Sequence, residues 1–251
     1  MNEKYYALIL SLAIAGLTLM TVNLLAITFA DNALLNRIFV LFGGRLPSGV
    51  IQGITYFLFT YGIFEILNLR RRIQNEMMAF EMNLLPESEQ FVLGPEDVAK
   101  LKLNMIEIQR KQDFQLVQLI KKACTKFRSS NSISETLGIL TRHSELLLRN
   151  SESDQSMIRY IAWAIPSVGF IGTVIGIAAS LSQAGAAVTM AGVERVTELL
   201  YIAFDTTLVA LLLSLILMFM YHKVQAKVER YHSGMEEYVI ENLVNRIYPN
   251  Q

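Results

Sequence analysis

Residues 164–177 read Ala-Ile-Pro-Ser-Val-Gly-Phe-Ile-Gly-Thr-Val-Ile-Gly-Ile, an apolar run in which small residues recur at regular intervals. Five residues of this region lie 3, 4, 3 and 4 positions apart and therefore share one face of a helix. They are Pro166, Gly169, Thr173, Gly176 and Ser180. Gly172 and Gly176 add a small-xxx-small pair beside this face, and such residues let helices approach closely in lipid. We predict close packing for the glycines, whereas for Thr173 a weakly polar lining stays open as an alternative.

A second small and polar face lies in the last apolar run of the chain, residues 199–221. Its members are Ala203, Thr207, Ala210 and Ser214. At 1.5 Å per residue, Thr173 lies roughly 20 Å along its helix from Tyr160, and Thr207 lies roughly 21 Å from Tyr221. Two antiparallel helices would therefore place both threonine hydroxyls at one depth. We predict a helix-packing role for the two alanines.

Asp205 precedes Thr207 by two positions and projects from a different face of the same helix. A carboxylate in the hydrocarbon core costs a few kcal/mol, so it should face a protein interior, water or a partner. An acid at this depth is a functional candidate by default. The alternative is a neutral, protonated Asp205 that is hydrogen-bonded to a neighbouring helix.

The composition indicates a membrane protein. The chain has 251 residues, of which 53% are hydrophobic and 18% charged, and its mean hydropathy is +0.38. Soluble domains carry about 25% charged residues. Four runs reach the length of about 20 apolar residues that a helix needs to cross a bilayer. They are residues 5–30, 50–69, 160–182 and 199–221. The expected fold class is an all-α integral membrane protein with four transmembrane helices and long helical cytoplasmic extensions.

Lysine and arginine are distributed unevenly between the segments that join these runs. Residues 70–159 hold 14 of them, whereas the connectors 31–49 and 183–198 hold three in total. Those three are Arg37, Arg45 and Arg195. Because positive charge stays on the cytoplasmic side, we expect both termini and the large polar region inside. The expected segments are 1–69 with two membrane helices, 70–158 as a helical cytoplasmic domain, 159–222 with two further membrane helices, and 223–251 as a cytoplasmic helical tail.

The polar region carries helix signals and no strand pattern. Gly94 and Pro95, followed by two acids, are typical of a helix start. Apolar residues at three-to-four spacing predict one helix from there to a break at 129–132. Ser132 and Glu135 then form a capping box that opens a second helix.

Two more helix signals flank the last two apolar runs. Ser151 and Asp154 repeat the capping pattern and predict a helix start just before the third run. After the fourth run, apolar and aromatic residues recur at 4-3-4-3 spacing, which suits packing against another helix. They are Val224, Val228, Tyr231, Met235 and Tyr238. We expect the third and fourth membrane helices to continue into the cytoplasm.

The same sequence argues against several functional classes. Lys and Arg number 22, as do Asp and Glu, whereas nucleic-acid binders normally carry a basic excess. The single Cys124 excludes an internal disulfide and a zinc module. We expect His143 on a solvated helix face, and His222 and His232 at and beyond the membrane edge. No phosphate loop, nucleophile elbow or metal-ligand spacing occurs, so we expect neither an enzyme nor a cofactor.

The segment 166–177 resembles the P-x-x-G-x-x-G-T-x-x-G signature of the MotA/TolQ/ExbB proton channel family. Residues 203–207, Ala-Phe-Asp-Thr-Thr, are similar to the stretch that carries the family's threonine in its last membrane helix. The resemblance covers about residues 151–247. Such proteins form a pentamer around two single-span subunits whose membrane helix carries an essential aspartate. Ion flow past that aspartate is held to turn the pentamer about the dimer.

The resemblance implies an ion-driven stator subunit in the bacterial inner membrane, with a single-span partner similar to ExbD, TolR or MotB. It also implies a driven component at the cytoplasmic domain and an ion path lined by Thr173 and Thr207. Pro166 would lie at the cytoplasmic mouth of that path, and Ser180 and Ser214 would extend it. Hydroxyls can relay or coordinate an ion without trapping it, and they serve protons and sodium alike.

The chain departs from the family pattern in two respects. Two spans before the polar region are similar to MotA, whereas residues 172–177 are more similar to ExbB and TolQ. The ExbB/TolQ type has an acid five residues before the last threonine, where this chain has Ile202. Asp205 is the candidate to take over that role and is counted in the ion path. The alternative function is a non-conducting membrane scaffold whose cytoplasmic helices bind a partner.

Overall fold

The computed structural model describes residues 2–44, 49–88, 92–183, 185 and 189–248. Within these ranges the chain forms helices and no named strand; Leu93 and Ile247 form an isolated parallel bridge. Arg45, one of the connector arginines used to predict the topology, lies outside the described residues.

Eight α-helices account for most of the described chain. They are α1 (Asn2–Thr28), α2 (Ala33–Leu41), α3 (Val50–Met77), α4 (Pro95–Lys111), α5 (Gln115–Ser130), α6 (Ile133–Asp154), α7 (Ser156–Ser182) and α8 (Met190–Asn242). Two short 3-10 helices, Met78–Met82 and Val244–Arg246, are also present. Four helical segments are long and apolar enough to cross a membrane. The expected class of an all-α membrane protein with four spans is confirmed.

The chain divides into two compact units, and α3 and α8 contribute residues to both. The first unit comprises Met1–Leu67 and Met157–His222. It contains α1, α2 and the apolar parts of α3, α7 and α8. The second comprises Asn68–Ser156 and Lys223–Gln251. It contains α4, α5, α6 and the remaining turns of α3 and α8.

Helix α5 supplies much of the core of the second unit. Seven of its side chains are at most 1% exposed, namely Leu116, Val117, Leu119, Ile120, Ala123, Cys124 and Phe127. The Glu76 carboxylate accepts hydrogen bonds from the Gln115 backbone N–H and the Tyr231 hydroxyl, both at 2.9 Å. One acid of α3 therefore satisfies an N-terminal amide of α5 and ties both helices to α8.

The sequence predicts one helix from residue 95 to the break at 129–132, and this is wrong. The helix stops at Lys111 and a new one starts at Gln115, so that α4 packs against α5. Phe114 caps α5 in an extended conformation and is only 6% exposed. Burial of this side chain and the packing of α4 on α5 outweigh the continuity of one long helix, which could not fold back on itself.

The two capping signals on either side of α6 have different outcomes. The Ser132 hydroxyl accepts from the Glu135 backbone N–H at 3.3 Å, so the predicted start of α6 is confirmed. Ser151 and Asp154, in contrast, start no helix, because α6 continues through both. The Asp154 carboxylate instead accepts a hydrogen bond of 3.1 Å from Arg72.

Two histidines are more buried than the sequence suggests. His143 is 9% exposed, with Nδ1 at 3.2 Å from the Lys122 amine, so its predicted solvated position is wrong. His232 is 2% exposed, next to Tyr231 within the second unit. Polar residues around His143 in the sequence hid this burial, because burial depends on α5 packing against α6.

The predicted seam after the fourth membrane run is confirmed. Val224, Val228 and Met235 are at most 6% exposed, and Phe80 meets Tyr231 and Tyr238 edge-on. Beyond this seam, the Arg246 guanidinium donates hydrogen bonds to the carbonyls of Pro86, Glu87 and Ser88. The end of the described chain is thereby joined to the segment that precedes α4.

Cys124 should be inert towards alkylation in the folded protein. Burial raises the pKa of its thiol from the usual 9.0 to about 12, which makes the reactive thiolate about a thousandfold rarer below pH 9. We expect the folded chain to resist maleimide near pH 8 and the unfolded chain to be labelled rapidly. The matched control is Thr125→Cys, because Thr125 is the exposed neighbour on the same helix. Equal labelling of the two cysteines would contradict the described core.

Candidate functional site

Helices α7 and α8 lie in direct contact along the two small-residue faces. A Cβ atom added to Gly169 would lie 2.5 Å from the Ala210 Cβ, and one added to Gly176 would lie 2.6 Å from the Ala203 Cβ. A Cβ on Gly172 would lie equally close to the Thr206 hydroxyl, at 2.5 Å. These separations are shorter than any normal carbon contact, so the three glycines are what allows the helices to approach this closely.

Thr173 and Thr207 meet across this contact. Their hydroxyl oxygens are within hydrogen-bond distance of each other. The Thr173 hydroxyl donates to the Ala203 carbonyl at 3.0 Å, and the Thr207 hydroxyl donates to the Gly169 carbonyl at 2.8 Å. Each threonine is therefore bound to the main chain of the opposite helix. Both remain half-buried, at the edge of the contact, while the glycines are fully buried.

The outlying members of the two faces also connect the helices. Pro166 lies inside α7 and has no N–H, so the carbonyl of Ala162, four residues earlier, lacks its usual helix partner. The Ser214 hydroxyl donates to this carbonyl at 3.2 Å. Near the other end of α7, the Ser180 hydroxyl donates to the Val196 carbonyl, also at 3.2 Å. In lipid, where no water is available, a carbonyl that a proline deprives of its helix partner needs such a substitute.

Asp205 lies outside this row of hydroxyls and is paired with Arg37 of α2. Nη2 of Arg37 donates to Oδ1 of Asp205 at 2.7 Å, and Nη1 donates to Oδ2, which makes the pair bidentate. The side chain of Asp205 is 4% exposed and that of Arg37 is 44% exposed. The guanidinium also lies over the Tyr201 ring, 4.9 Å from its centroid. The hydrogen bond with Asp205 raises the pKa of Arg37 above its usual value, so the guanidinium stays charged.

A cavity of about 240 Å³ adjoins this ion pair. Its lining includes Asn36 and Arg37 from α2 and Glu198 and Tyr201 from α8. Glu198 accepts a hydrogen bond of 2.9 Å from Arg195, one turn earlier on the same helix. Polar groups therefore line a cavity at the end of the first unit where the connectors between its membrane helices lie.

The structure thus brings together most of the residues selected from the sequence. The two threonines, the two serines, the three glycines and the two alanines all lie at the α7–α8 contact, with Pro166 beside it. Asp205 does not join them, since its carboxylate turns to α2. Sequence reasoning missed Arg37, which it used only to predict the topology. The available signal was that Arg37 is the one charged residue of the mostly apolar stretch 33–42, and a permanent cation there calls for an acid nearby.

The fold and the site define a helical membrane protein with a pair of hydroxyls at the contact of its last two membrane helices. The family model for the MotA/TolQ/ExbB proton channel family matches residues 112–237, half of the chain. The chain belongs to this family, as the resemblance predicted. The match takes in α5, α6, α7 and most of α8, and Arg37 lies outside it. No curated protein and no solved structure matches the chain.

Moving a methyl group from one side of the α7–α8 contact to the other tests whether the glycines allow the two helices to approach closely. We expect Gly169→Ala to lower the stability by about 1–3 kcal/mol, because its new methyl group overlaps that of Ala210. The double variant Gly169→Ala with Ala210→Gly should recover most of this loss. Thermal unfolding of the detergent-solubilised chain measures both effects.

Gly16→Ala is the matched control, because a Cβ at that position of α1 meets nothing within 4 Å. A loss of stability as large for this variant as for Gly169→Ala would mean that the loss does not come from the helix contact. Failure of the double variant to recover any stability would have the same meaning.

Proposed function

We propose that the chain is the channel subunit of an ion-driven motor, in which ion flow past the α7–α8 contact is converted into mechanical work. The observation that carries this proposal is the Thr173–Thr207 hydroxyl pair, which lies within the part of the chain that matches the proton channel family. The ion is a proton or a sodium ion, and the membrane is the bacterial inner membrane.

The geometry of the hydroxyl pair supports an ion path at this position. Each hydroxyl has two exchangeable partners, the other hydroxyl and a carbonyl of the opposite helix. Reorientation of one O–H bond changes whether that threonine donates to the carbonyl or to the other hydroxyl, which is what a proton relay requires. The pair carries no fixed charge, so an ion is not trapped there. Pro166, Ser180 and Ser214 would continue the polar face towards both ends of the helices.

The chain needs a partner to complete this path. In this proposal the motor loads and releases its ion at an acid, and Asp205, the acid two residues before Thr207, is already paired with Arg37. The acid would come from a single-span subunit similar to ExbD, TolR or MotB. We propose that five copies of this chain surround two such subunits, so that the half-buried threonines face them. The second unit would lie in the cytoplasm with both termini and contact the driven component.

Removal of the hydroxyls tests the ion path. Thr173→Val and Thr207→Val keep the shape of the side chain and lose the oxygen, so we expect each to reduce ion flux by at least about tenfold. Thr207→Ser keeps the oxygen and should retain most of the flux. Flux is measured with a pH- or sodium-sensitive dye in proteoliposomes that contain the chain and the single-span product of the neighbouring gene.

The matched control is Thr197→Val on the same helix, because that exposed hydroxyl donates only to a carbonyl of its own turn. It should leave the flux at the parent level. Undiminished flux in the Thr173 and Thr207 variants would overturn the proposed path. Full biological activity without any flux would favour a non-conducting scaffold that binds a partner through its cytoplasmic helices.

Native mass spectrometry of the co-purified complex tests the stoichiometry. We expect five copies of the 28.3 kDa chain together with two copies of the single-span protein. A stable monomer or dimer that ignores the neighbouring gene product would contradict the motor architecture.

A further inference from the structure

Helix α2 is fixed to two membrane helices without the help of Arg37. The Asn36 amide donates to the Ala26 carbonyl of α1 at 3.4 Å. The Tyr56 hydroxyl of α3 donates at 2.8 Å to the carbonyl of Phe42, which directly follows α2. The guanidinium–carboxylate pair adds α8 as the third attachment. Helix α2 therefore joins the connector ends of three membrane helices.

The ion pair with Arg37 and the hydroxyl pair lie on almost opposite sides of α8. Residues of an α-helix are about 100° apart around its axis, so Asp205 and Thr207 are separated by about 200°. Asp205 is held from one side by α2, and Thr207 is held from the other side by α7. Two restraints on opposite sides of one turn together oppose rotation of α8 about its own axis at the level of the hydroxyl pair.

We infer that Asp205 is a positioning residue for conduction. Paired with Arg37, it sets the rotation of α8 and thereby keeps the Thr207 hydroxyl against Thr173; it is not itself the acid that carries the ion. The consequence for ion flow rests on the proposed function, whereas the effect on the rotation of α8 does not. Arg37 lies outside the family-matched residues, so this pair is one link between the N-terminal helices and the family core.

The burial of the Asp205 carboxylate predicts that loss of Arg37 alone does more harm than loss of both charges. Removal of Arg37 leaves the carboxylate of Asp205, 4% exposed, buried without its counter-charge. A buried carboxylate without a counter-charge must reach water or change its side-chain conformation. Either change disturbs the packing of α8. Removal of both charges leaves two amides, which can still hydrogen-bond to each other. The further change Asp205→Asn should therefore reverse part of the effect of Arg37→Gln on the position of α8.

The first experiment measures the position of Thr207 directly. In the full chain in native membranes, Thr173→Cys with Thr207→Cys should form a disulfide under mild oxidation, because the native oxygens are already in contact. We expect Arg37→Gln to slow this reaction severalfold and the further change Asp205→Asn to restore part of the rate. Arg195→Gln is the matched control, since Arg195 forms only an exposed ion pair on α8 and should not alter the rate.

Equal disulfide rates in the Arg37→Gln and Arg195→Gln backgrounds would overturn the inference. So would a rate in Arg37→Gln with Asp205→Asn that is no faster than in Arg37→Gln alone. Neither result depends on conduction. If the rates behave as expected while the parent complex carries no ion, the proposed function fails and the positioning of α8 stands.

The second experiment measures flux in the same complex with both threonines intact. A positioning role predicts low flux for Arg37→Gln, partial recovery when Asp205→Asn is added, and a pH profile of the recovered flux that matches the parent. A carrier role for Asp205 predicts no flux in any variant that contains Asp205→Asn. The latter result would overturn the inference and assign the carboxylate to the ion path.

Discussion

Helix α7 lies directly against α8 because three of its positions carry no side chain. A methyl group at Gly169 or Gly176 would overlap an alanine Cβ of the opposite helix, and α3 leaves no more room, since a Cβ at Gly172 would also lie 3.0 Å from Ile51. The hydrophobic effect does not drive helices together in lipid. Van der Waals packing at close approach takes its place. The hydrogen bonds between hydroxyls of one helix and carbonyls of the other follow from this short separation.

At that separation, hydroxyls can reach the main chain of the facing helix. Thr173 and Thr207 do so reciprocally, and Ser214 supplies the partner that Pro166 takes away from the Ala162 carbonyl. A proline within a membrane helix is thus tolerated here for a specific reason. The same hydrogen bonds hold the two helices in register, so packing and the candidate ion path are properties of one set of residues.

The fold class and the α7–α8 contact could be predicted because both are local patterns repeated along the chain. Apolar runs of sufficient length gave the four spans, and the rise per residue placed the two threonines at one depth. The break between α4 and α5 and the burial of His143 depend on packing between helices, which no local pattern reports. The Arg37–Asp205 pair joins residues 168 positions apart, and nothing in the spacing of either residue indicates the other.

The burial of Cys124 has a practical consequence for the study of this protein. The chain has one cysteine, and the core around α5 shields it, so we expect the native sequence to serve as a cysteine-free background for labelling. Spin labels or fluorophores can be attached to single exposed cysteines without replacing a core residue of the second unit. Distances within each unit, and between copies in an assembly, are then accessible in the natural chain by electron paramagnetic resonance or energy transfer.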